Sequence, residues 1–395
     1  MLKTLTNDQY EALSILQKWY RKYQHQFIDI AGVIGTGTWD LVQKFIDLED
    51  LDMREVMYLS YDQKQVLEMA AKRYHTYYIN GIIYNYSRIV DFDTLPVINP
   101  NSDHVECEWK KSVRKKIDPR YKLIVVFDSV LLSKKMIEDL ATFGLPVILL
   151  RDPMLLPAPD SYTFIREPNI ILREPHVDYL KNPIVYFAHK VLLGDKIKPG
   201  SYDNVSVIPR KQMNLYNLKS SDMTVTISGE IRDQINAIYR EKILRQRGII
   251  NTQGERIIIM ESMYGHRLVN HDEKNIKIYL AKGTIGYIDK INRHVPGTKY
   301  VPMDFRPEFY HEPFTDLVLD RHYLNRIDLK SRQVIPDEVV KAEYAYALTP
   351  PMARLGHWDK VTLVVDPNEM ADIKIQKRML YSAITRARRM LTILI

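Results

Sequence analysis

Eight residues from Gly32 to Trp39 have the types and spacing to bind phosphate groups. Gly32 and Gly37 match the glycines of the phosphate-binding pattern G-x-x-x-x-G-K-[ST], in which backbone N–H groups and a helix N-terminus cradle a triphosphate. Thr38 stands where the pattern has a lysine that reaches the β- and γ-phosphates, and Trp39 stands where it has a hydroxyl that holds Mg²⁺. The stretch therefore predicts the backbone of a phosphate site without its two functional side chains.

The segments around these glycines predict a strand and a helix. An apolar run from Phe27 to Ile34, interrupted only by Asp29, is typical of a buried strand, and Trp39 to Leu48 has apolar residues at helical spacing. Another buried strand, Leu123 to Asp128, ends in an acid. In α/β sheets ligands meet the carboxyl ends of the strands, so we expect Asp128 in the position of a metal-coordinating acid.

The order of predicted strands and helices divides the chain into domains and insertions. Strands alternate with helices through residues 1–160, which predicts a doubly wound parallel sheet, and periodicity is lost in 87–119, which indicates an inserted hairpin or loop. Short strands punctuated by glycines predict a small inserted β-barrel at 249–330. Residues 161–248 and 331–395 flank this insertion and predict a second α/β domain.

Composition narrows the class of protein. The chain has 395 residues, 46% of them hydrophobic and 27% charged, which is typical of a soluble globular protein with two or three domains. A single cysteine, Cys107, excludes an internal disulfide and a cysteine-based zinc site, and the histidines form no zinc pattern, so we expect no metal site. No apolar run reaches the length of a membrane span and the N-terminus begins no signal peptide, which predicts a cytoplasmic protein without a membrane partner.

The charge balance favours a polyanionic partner. Lysine and arginine number 56 against 49 acidic residues, which gives a formal net charge of +7 at pH 7. Such an excess is typical of nucleic-acid-binding proteins, although many basic proteins bind no nucleic acid. The basic run from Lys110 to Lys116 has the same two interpretations, a solvated face or a contact to phosphate.

Taken in order, the segments resemble the motifs of a superfamily-one DNA helicase of the RecD/Dda type. The segment Leu380 to Arg388 is similar to the last motif of that family, and Arg386 stands where an arginine contacts the γ-phosphate. Gln9 stands in the position of the adenine-reading glutamine, Asp128 in that of the Walker B aspartate, and Asp152 in that of the aspartate of the following motif. The resemblance spans most of the chain.

This resemblance implies an α/β fold with two RecA-like parallel-sheet domains, a small hairpin insertion in the first and a small β-barrel insertion in the second. It implies nucleotide contacts, or the remnants of them, at Gln9, Gly32, Gly35, Thr36, Gly37 and Asp152. It also places four residues where the family contacts single-stranded DNA, although each is equally compatible with plain surface: Lys64, Asn80, Tyr84 and Thr349.

Several positions depart from the motifs of the family. Ser129 replaces the glutamate that would activate the attacking water, Leu155 replaces the glutamine that senses the γ-phosphate, and Arg151 replaces the glycine that leads that motif. Val177 stands where a phosphate-binding arginine belongs. Because positioning and electrostatics supply almost all catalysis of phosphoryl transfer, no confident catalytic residue remains. The remnant catalytic positions are Thr38, Asp128, Ser129, Leu155 and Arg386.

Two hypotheses follow. The first is a pseudo-helicase that binds single-stranded or forked DNA or a replication or recombination protein, needs no cofactor, and acts as a clamp, scaffold or competitor. The second is an active 5′-to-3′ ATP-dependent DNA helicase with divergent motifs, which would use ATP and Mg²⁺ with Asp128, Arg386 and the Gly35–Gly37 loop. Nucleotide binding and DNA-stimulated turnover distinguish the two. Compact members of this family are common in phages, which suggests by analogy a viral protein in the host cytoplasm.

Overall fold

The computed structural model describes residues 5–22, 25–88, 109–114, 116–158, 160–161, 163, 166–246, 253–269, 277–291, 300–326, 339–365 and 373–395. The chain forms two compact units, of which the first comprises Met1–Ile83, Arg114–Gln234 and Leu348–Ile395 and the second comprises Tyr84–Val113 and Ile235–Ala347.

The strands are β1 (Phe27–Gly32), β2 (Val56–Ser60), β3 (Thr76–Tyr78), β4 (Tyr84–Arg88), β5 (Trp109–Val113), β6 (Leu123–Val126), β7 (Val147–Arg151), β8 (Ile170–Leu172), β9 (Gly200–Tyr202), β10 (Val205–Ile208), β11 (Met223–Thr226), β12 (Arg256–Ile259), β13 (Met263–Val269), β14 (Lys277–Leu280), β15 (Ile285–Ile291), β16 (Tyr300–Pro307), β17 (Phe314–Asp320), β18 (Val339–Val340), β19 (Ala342–Tyr344), β20 (Ala347–Leu348), β21 (Trp358–Val364) and β22 (Ala387–Leu394). The α-helices are α1 (Asn7–Lys22), α2 (Thr38–Leu48), α3 (Gln63–Ala71), α4 (Ile79–Ile83), α5 (Lys134–Ala141), α6 (Val177–Leu180), α7 (Pro183–Leu193), α8 (Leu215–Lys219), α9 (Gly229–Ile238), α10 (Arg321–Leu324), α11 (Pro350–Ala353) and α12 (Ile373–Ile384).

The first unit contains a six-stranded sheet in the order β3-β2-β6-β7-β1-β8, and its described pairings are parallel. Strands β6 and β7 are apolar along almost their whole length, because helices and loops cover both faces of a parallel sheet. Strand β7 lies between β1, which leads into the glycine loop, and β6, which ends just before Asp128. This order places the glycine loop and Asp128 at the same edge of the sheet.

A second six-stranded sheet has the order β20-β11-β21-β22-β10-β9. Strand β22, the last in the chain, pairs in parallel with β21 on one side and β10 on the other, and β9 is an antiparallel edge strand. Helix α12 leads into β22 and packs against α7. The predicted α/β class with two RecA-like parallel sheets is confirmed.

The sequence predicts a single helix over Glu174 to Gly194 and another over Glu230 to Arg247, and both differ in the structure. The predicted helix from Glu174 to Gly194 is divided into α6 and α7, because Asn182 caps the second helix with its side chain and Pro183 occupies its first turn. The predicted helix from Glu230 to Arg247 leaves α-helical geometry at Ile238 and continues as a π-helical turn over Tyr239–Ile243. Within the described residues, no helix is both long and apolar enough to cross a bilayer.

The second unit is mainly antiparallel. Strands β4 and β5 form a hairpin that overlaps the predicted insertion at 87–119, most of whose residues lie outside the described ranges. The remaining strands form a six-stranded sheet in the order β18-β17-β16-β15-β12-β19 and a two-stranded sheet of β13 and β14. In the described parts of this unit the larger sheet has two edge strands, so closure into the predicted barrel is not observed there.

Candidate functional site

A cavity of about 470 Å³ opens in the first unit at the carboxyl ends of β1, β6 and β7. The glycine loop and the start of α2 line one side, and Asp128 and Asp152 follow the strands beside it. Tyr179 and Val185, from α6 and α7, line it as well, and so do His357 and the end of α12 through Thr385 and Arg386. The cavity thus lies where the sequence predicts a nucleotide site.

The glycine loop is fixed by its own backbone and by Gln9. Gly35 and Gly37 have φ of 89° and 70°, the left-handed region that favours glycine. The Thr36 hydroxyl donates to the Val33 carbonyl at 2.8 Å, and the amide Nε2 of Gln9 donates to the Thr36 carbonyl at 2.8 Å. Gln9 Oε1 accepts from the backbone amide of Thr6, so the fully buried Gln9 side chain anchors the loop and caps α1 instead of facing the cavity. The adenine-reading role expected for Gln9 has no support in this geometry.

The side chains at the two substituted loop positions pack against other groups of the protein. A Cβ atom on Gly32 would lie 2.7 Å from Cγ2 of Thr38, so the methyl group of Thr38 packs over that glycine. The indole of Trp39 packs against Tyr58, Tyr74 and Phe127, with ring centroids 5.3–5.6 Å apart. Position 39, where the resemblance expects a Mg²⁺-binding hydroxyl, therefore belongs to an aromatic cluster.

Tyr381 of α12 connects the second sheet to the glycine loop. Its hydroxyl accepts a hydrogen bond from the backbone amide of Ile34 at 2.7 Å and donates a short one to the carboxylate of Asp152. On the other side of the loop, Nε2 of His189 donates to the Ile34 carbonyl at 2.7 Å. Both backbone groups of Ile34 are thus bound by side chains, and a loop amide that could serve a phosphate already has a partner.

Of the remnant positions, Asp128 and Leu155 line the cavity and Ser129 does not. Asp128 lines the cavity with a left-handed backbone, φ 49°, and its side chain caps no helix. Ser129 is fully buried and outside the cavity lining, and its carbonyl accepts from the Thr163 hydroxyl at 2.8 Å. Leu155 lines the cavity with an apolar side chain. A carboxylate therefore faces the cavity without a second acid beside it at position 129.

Arg386 lies at the cavity, and each of its three guanidinium nitrogens donates to a group of the protein. Its Nε donates to the Ser382 carbonyl at 3.0 Å, one terminal nitrogen donates to the Arg354 carbonyl at 2.6 Å, and the other to the Thr385 hydroxyl at 3.1 Å. Burial lowers the pKa of Arg386, with Asp128 and Asp152 acting in the opposite direction. The guanidinium group thus fastens the end of α12 to the segment before β21.

The buried side chain of Arg151 forms an ion pair and hydrogen bonds within the protein. One of its terminal nitrogens lies 3.1 Å from Oδ2 of Asp29, and it donates to the carbonyls of Thr163 and Arg166. Burial raises the pKa of Asp29 to about 6, and Arg151 opposes that rise. The pair links neighbouring strands β1 and β7 by their side chains as well as by their backbones.

Burial also shifts the pKa values of other groups that line the cavity. It raises the pKa of Asp152 to about 6, a shift reduced by the hydrogen bonds from Tyr381 and the Met154 amide. It raises the pKa of Asp128 and is opposed there by Arg386. It lowers the pKa of His357 well below the ordinary value, so this imidazole is neutral at physiological pH.

The charges around the cavity do not fit Mg²⁺–ATP. Three carboxyl groups line it, those of Asp40, Asp128 and Asp152. Among its described lining residues the permanent cations are Arg151 and Arg386, and both guanidinium groups are bound inside the protein. In the described part of the chain no three His, Cys, Asp or Glu residues are grouped to hold a metal ion. A triphosphate would meet acids and aromatic rings instead of lysine and Mg²⁺.

Several further bonds join the two sheets beside the cavity. Arg378 donates to the Pro153 carbonyl at 2.7 Å, and Arg354 donates to the Pro157 carbonyl at 3.3 Å. At the rim, Arg388 forms a two-point ion pair with Glu68 at 2.8 and 3.0 Å. The loop after β7 is therefore held by one side chain of α12 and one that follows α11.

The predicted DNA contacts are largely occupied. Lys64 Nζ donates to the His357 carbonyl at 3.2 Å, so it joins the same set of bonds between the sheets. Asn80 is buried and its amide donates to the Tyr78 hydroxyl at 3.4 Å. In the second unit Tyr84 is buried, with Lys111 Nζ 3.4 Å from the centre of its ring. Neither Asn80 nor Tyr84 exposes a surface that could contact a nucleic-acid base.

Thr349 occupies a different environment from the other three predicted contacts. It is half-buried and precedes α11 as the capping residue, and its carbonyl accepts from the amides of Met352 and Ala353. Its hydroxyl caps no backbone amide of that helix. Thr349 therefore retains a polar side chain that is not used for capping.

Sequence reasoning missed Arg378 and Tyr381, the residues of α12 that reach across the cleft. They are three residues apart, which places them on one face of the helix. That polar spacing was the available signal, but it is equally typical of a solvated face. His189 carried no pattern at all.

Comparison with known proteins gives similarity of fold. No family model matches the chain. No curated protein matches it either. Solved structures similar to it include the Pif1 helicase from Candida albicans, with 11% identity, a TM-score of 0.43 and coverage of 100% of this chain and 94% of that one.

Two further structures have similar values. One describes the unwinding of forked double-stranded DNA by two coordinating Pif1 helicases, with 10% identity, a TM-score of 0.47 and coverage of 99% and 92%. The other is Pif1 helicase from Bacteroides in complex with ADP-AlF3 and single-stranded DNA, with 12% identity, a TM-score of 0.43 and coverage of 99% and 92%. At these identities, function has to be inferred from the residues of this chain.

Proposed function

We propose that this protein is a DNA-binding protein of helicase fold that does not hydrolyse ATP and acts as a clamp, scaffold or competitor in DNA replication or recombination. The observation that carries the proposal is the pair of hydrogen bonds made by the Tyr381 hydroxyl, to the Ile34 amide and to Asp152. Tyr381, on the helix that leads into β22 of the second sheet, thereby occupies a backbone N–H donor of the glycine loop.

The bonds around Tyr381 support a cleft that closes without nucleotide. A ligand shifts a conformational equilibrium only through differential affinity for its two states. Here Tyr381, Arg354 and Arg378 already connect the sheets within the first unit. Nucleotide would have to replace these bonds to act, and the loop offers it no lysine at position 38 and no hydroxyl at position 39 in return. A stable, nucleotide-independent form is therefore expected.

DNA is the partner that the charge and the order of the motifs support. The net charge of +7 favours a polyanion, and the helicase-like order of segments favours single-stranded or forked DNA among polyanions. A protein that occupies such DNA without moving along it would compete with an active motor or hold the strand for another replication or recombination protein.

The proposal is tested by equilibrium binding of a fluorescent ATP analogue with Mg²⁺, together with ATPase assays at saturating single-stranded DNA. We expect no saturable nucleotide binding and no turnover. DNA-stimulated hydrolysis that is lost in Asp128→Ala would overturn the proposal in favour of an active helicase. Arg388→Ala serves as the matched control, because Arg388 lies on the rim and pairs with Glu68 outside the cavity lining.

DNA binding is measured separately. We expect the unmodified protein to bind a single-stranded oligonucleotide with an affinity that falls steeply with salt and does not change when ATP is added. Absence of binding to single-stranded, duplex and forked DNA would remove the DNA part of the proposal and leave only a protein partner.

A further inference from the structure

The segment between β10 and β11 carries an unusually exposed tyrosine with lysines before and after it in the chain. Tyr216, on α8, is 76% exposed, and its neighbour Leu215 is 45% exposed. Lys211 and Lys219 are exposed on the two sides of them in the chain. This segment connects β10 to β11 and belongs to the first unit.

The pairing of β9 with β10 adds two more lysines to this region. The antiparallel register sets Tyr202 opposite Val205 and Gly200 opposite Val207. Continuing the register by two residues sets Lys198 opposite Pro209, next to the turn that contains Lys211. Lys196 and Lys198 are both exposed. The basic segment here, the lysine edge, consists of Lys196, Lys198, Lys211 and Lys219.

The lysines of this edge form no ion pair with a described residue. Among the described residues, no carboxylate lies within ion-pair distance of any of them, whereas many other surface cations of the first unit are paired, as Arg389 is with Asp359. Two acids near them in the chain have other partners, since Asp195 pairs with Lys190 and Asp222 accepts from the amide of Lys360. The lysine edge therefore presents positive charge that no direct ion pair with a described residue neutralises.

Helix α8 holds Tyr216 in a fixed position. Asn214 and Asn217 cap the first turn reciprocally, each side chain accepting from the backbone amide of the other residue. Leu218 is buried at 2% exposure and anchors the helix to the sheet beneath. Such a short helix needs these tertiary anchors, because nucleating a helical turn is unfavourable in isolation. The phenol is thus displayed outward on an ordered element instead of on a mobile loop.

We infer that the lysine edge and Tyr216 form a binding site for single-stranded nucleic acid, with the lysines contacting phosphates and the ring of Tyr216 stacking on an unpaired base. A basic track beside an open aromatic face is the combination by which proteins bind single strands without sequence preference. Duplex DNA has no unpaired base to stack on the ring, so its binding uses the lysines alone. This inference rests on the proposed function and names the surface that would carry it.

The test is fluorescence anisotropy with a labelled oligothymidylate and with a duplex of equal length. We expect Tyr216→Ala to weaken single-strand binding about 5- to 100-fold and to leave duplex binding nearly unchanged. Tyr216→Phe should bind like the unmodified protein, since the ring and not the hydroxyl stacks. The matched control is Tyr10→Ala, because Tyr10 is 59% exposed on α1 between Asp8 and Glu11 and lies away from the lysine edge.

The charges are tested by Lys198→Gln and Lys211→Gln. Each should lower the slope of log affinity against log salt by about 0.7 for a single strand. Photo-crosslinking of an iodouracil-containing strand, followed by peptide mapping, should label the peptide that contains Tyr216.

The outcomes separate the two proposals. If the unmodified protein binds the strand and Tyr216→Ala binds as tightly as Tyr10→Ala, the surface is wrong while DNA binding stands. If the unmodified protein binds no strand at all, the proposed function fails at its DNA step. An equal loss of single-strand and duplex binding in Tyr216→Ala would also overturn the stacking role.

Discussion

The hydroxyl of Tyr381 bridges the carboxylate of Asp152 and the backbone amide of Ile34. Asp152 follows β7 and Ile34 follows β1, so one phenol on α12 contacts the ends of two neighbouring strands of the other sheet. A side chain of the protein thus occupies one of the loop amides that the sequence pattern predicts to face a phosphate.

Replacing Tyr381 by phenylalanine should destabilise the first unit. The substitution leaves the Asp152 carboxylate and the Ile34 amide without this partner, at a cost of about 1–3 kcal/mol in the free energy of unfolding. Urea denaturation followed by tryptophan fluorescence measures it, with Tyr10→Phe as a control on an exposed tyrosine. An unchanged denaturation midpoint in Tyr381→Phe would mean that the bridge contributes nothing to stability.

Arg386→Lys should lower the free energy of unfolding although it conserves charge. The guanidinium donates to the carbonyls of Ser382 and Arg354 and to the Thr385 hydroxyl, and a lysine ammonium cannot reproduce that planar fork. We expect a loss of about 2–3 kcal/mol in unfolding free energy.

The control for this change lies two residues away. Arg388→Lys keeps an exposed ion pair with Glu68, so it should change stability by less than about 1 kcal/mol. Equal effects of the two substitutions would show that the buried network is not what stabilises the end of α12.

Asp62 makes stability depend on pH. It caps α3 by accepting from the Lys64 amide, and burial raises its pKa from 3.8 to about 7. Between these values the folded state binds more protons than the unfolded one, so this residue makes stability fall as pH rises and hold at its lower level above about pH 7. Asp62→Asn retains a capping oxygen and cannot ionise.

Denaturation at about pH 5 and about pH 8 measures this effect. Asp62→Asn should be more stable than the unmodified protein at the higher pH, and this advantage should be smaller by about 1–3 kcal/mol at the lower pH, where the loss between pH 3.8 and about pH 7 is only part complete. Asp29 and Asp152 titrate near pH 6 in both proteins and cancel in the comparison. A larger gain at the lower pH would contradict the raised pKa of Asp62.

Gly32 should not tolerate alanine. A Cβ atom there would lie 2.3 Å from the Thr36 hydroxyl oxygen and 2.7 Å from Cγ2 of Thr38, so the loop would have to move. We expect a loss of about 1–3 kcal/mol in thermal or urea denaturation. Gly229→Ala is the matched control, since its Cβ would meet no atom within 4 Å and its backbone needs no left-handed conformation. It should be neutral or slightly stabilising.

The sequence was sufficient for what depends on local pattern. The apolar run before Gly32 and the apolar strand before Asp128 predicted two parallel strands, because burial on both faces leaves a continuous hydrophobic signal. It was not sufficient for the bridge across the cleft, since Tyr381 and Asp152 lie 229 residues apart and only tertiary structure brings them together.

The predicted DNA contacts illustrate the same limit. Asn80 and Tyr84 are residue types that commonly face solvent or a base, yet both are buried here by tertiary packing. Tyr216 carries no motif, and its exposure follows from the burial of Leu218 on the opposite side of a short helix. Spacing within the chain could not distinguish these two tyrosines.

The buried pair of Asp29 and Arg151 restricts which single substitutions the fold can accept. Exchanging Arg151 for a neutral residue would leave the Asp29 carboxylate without its counter-charge, and exchanging Asp29 alone would leave the guanidinium without its own. A neutral pair at these two positions therefore requires both residues to change together.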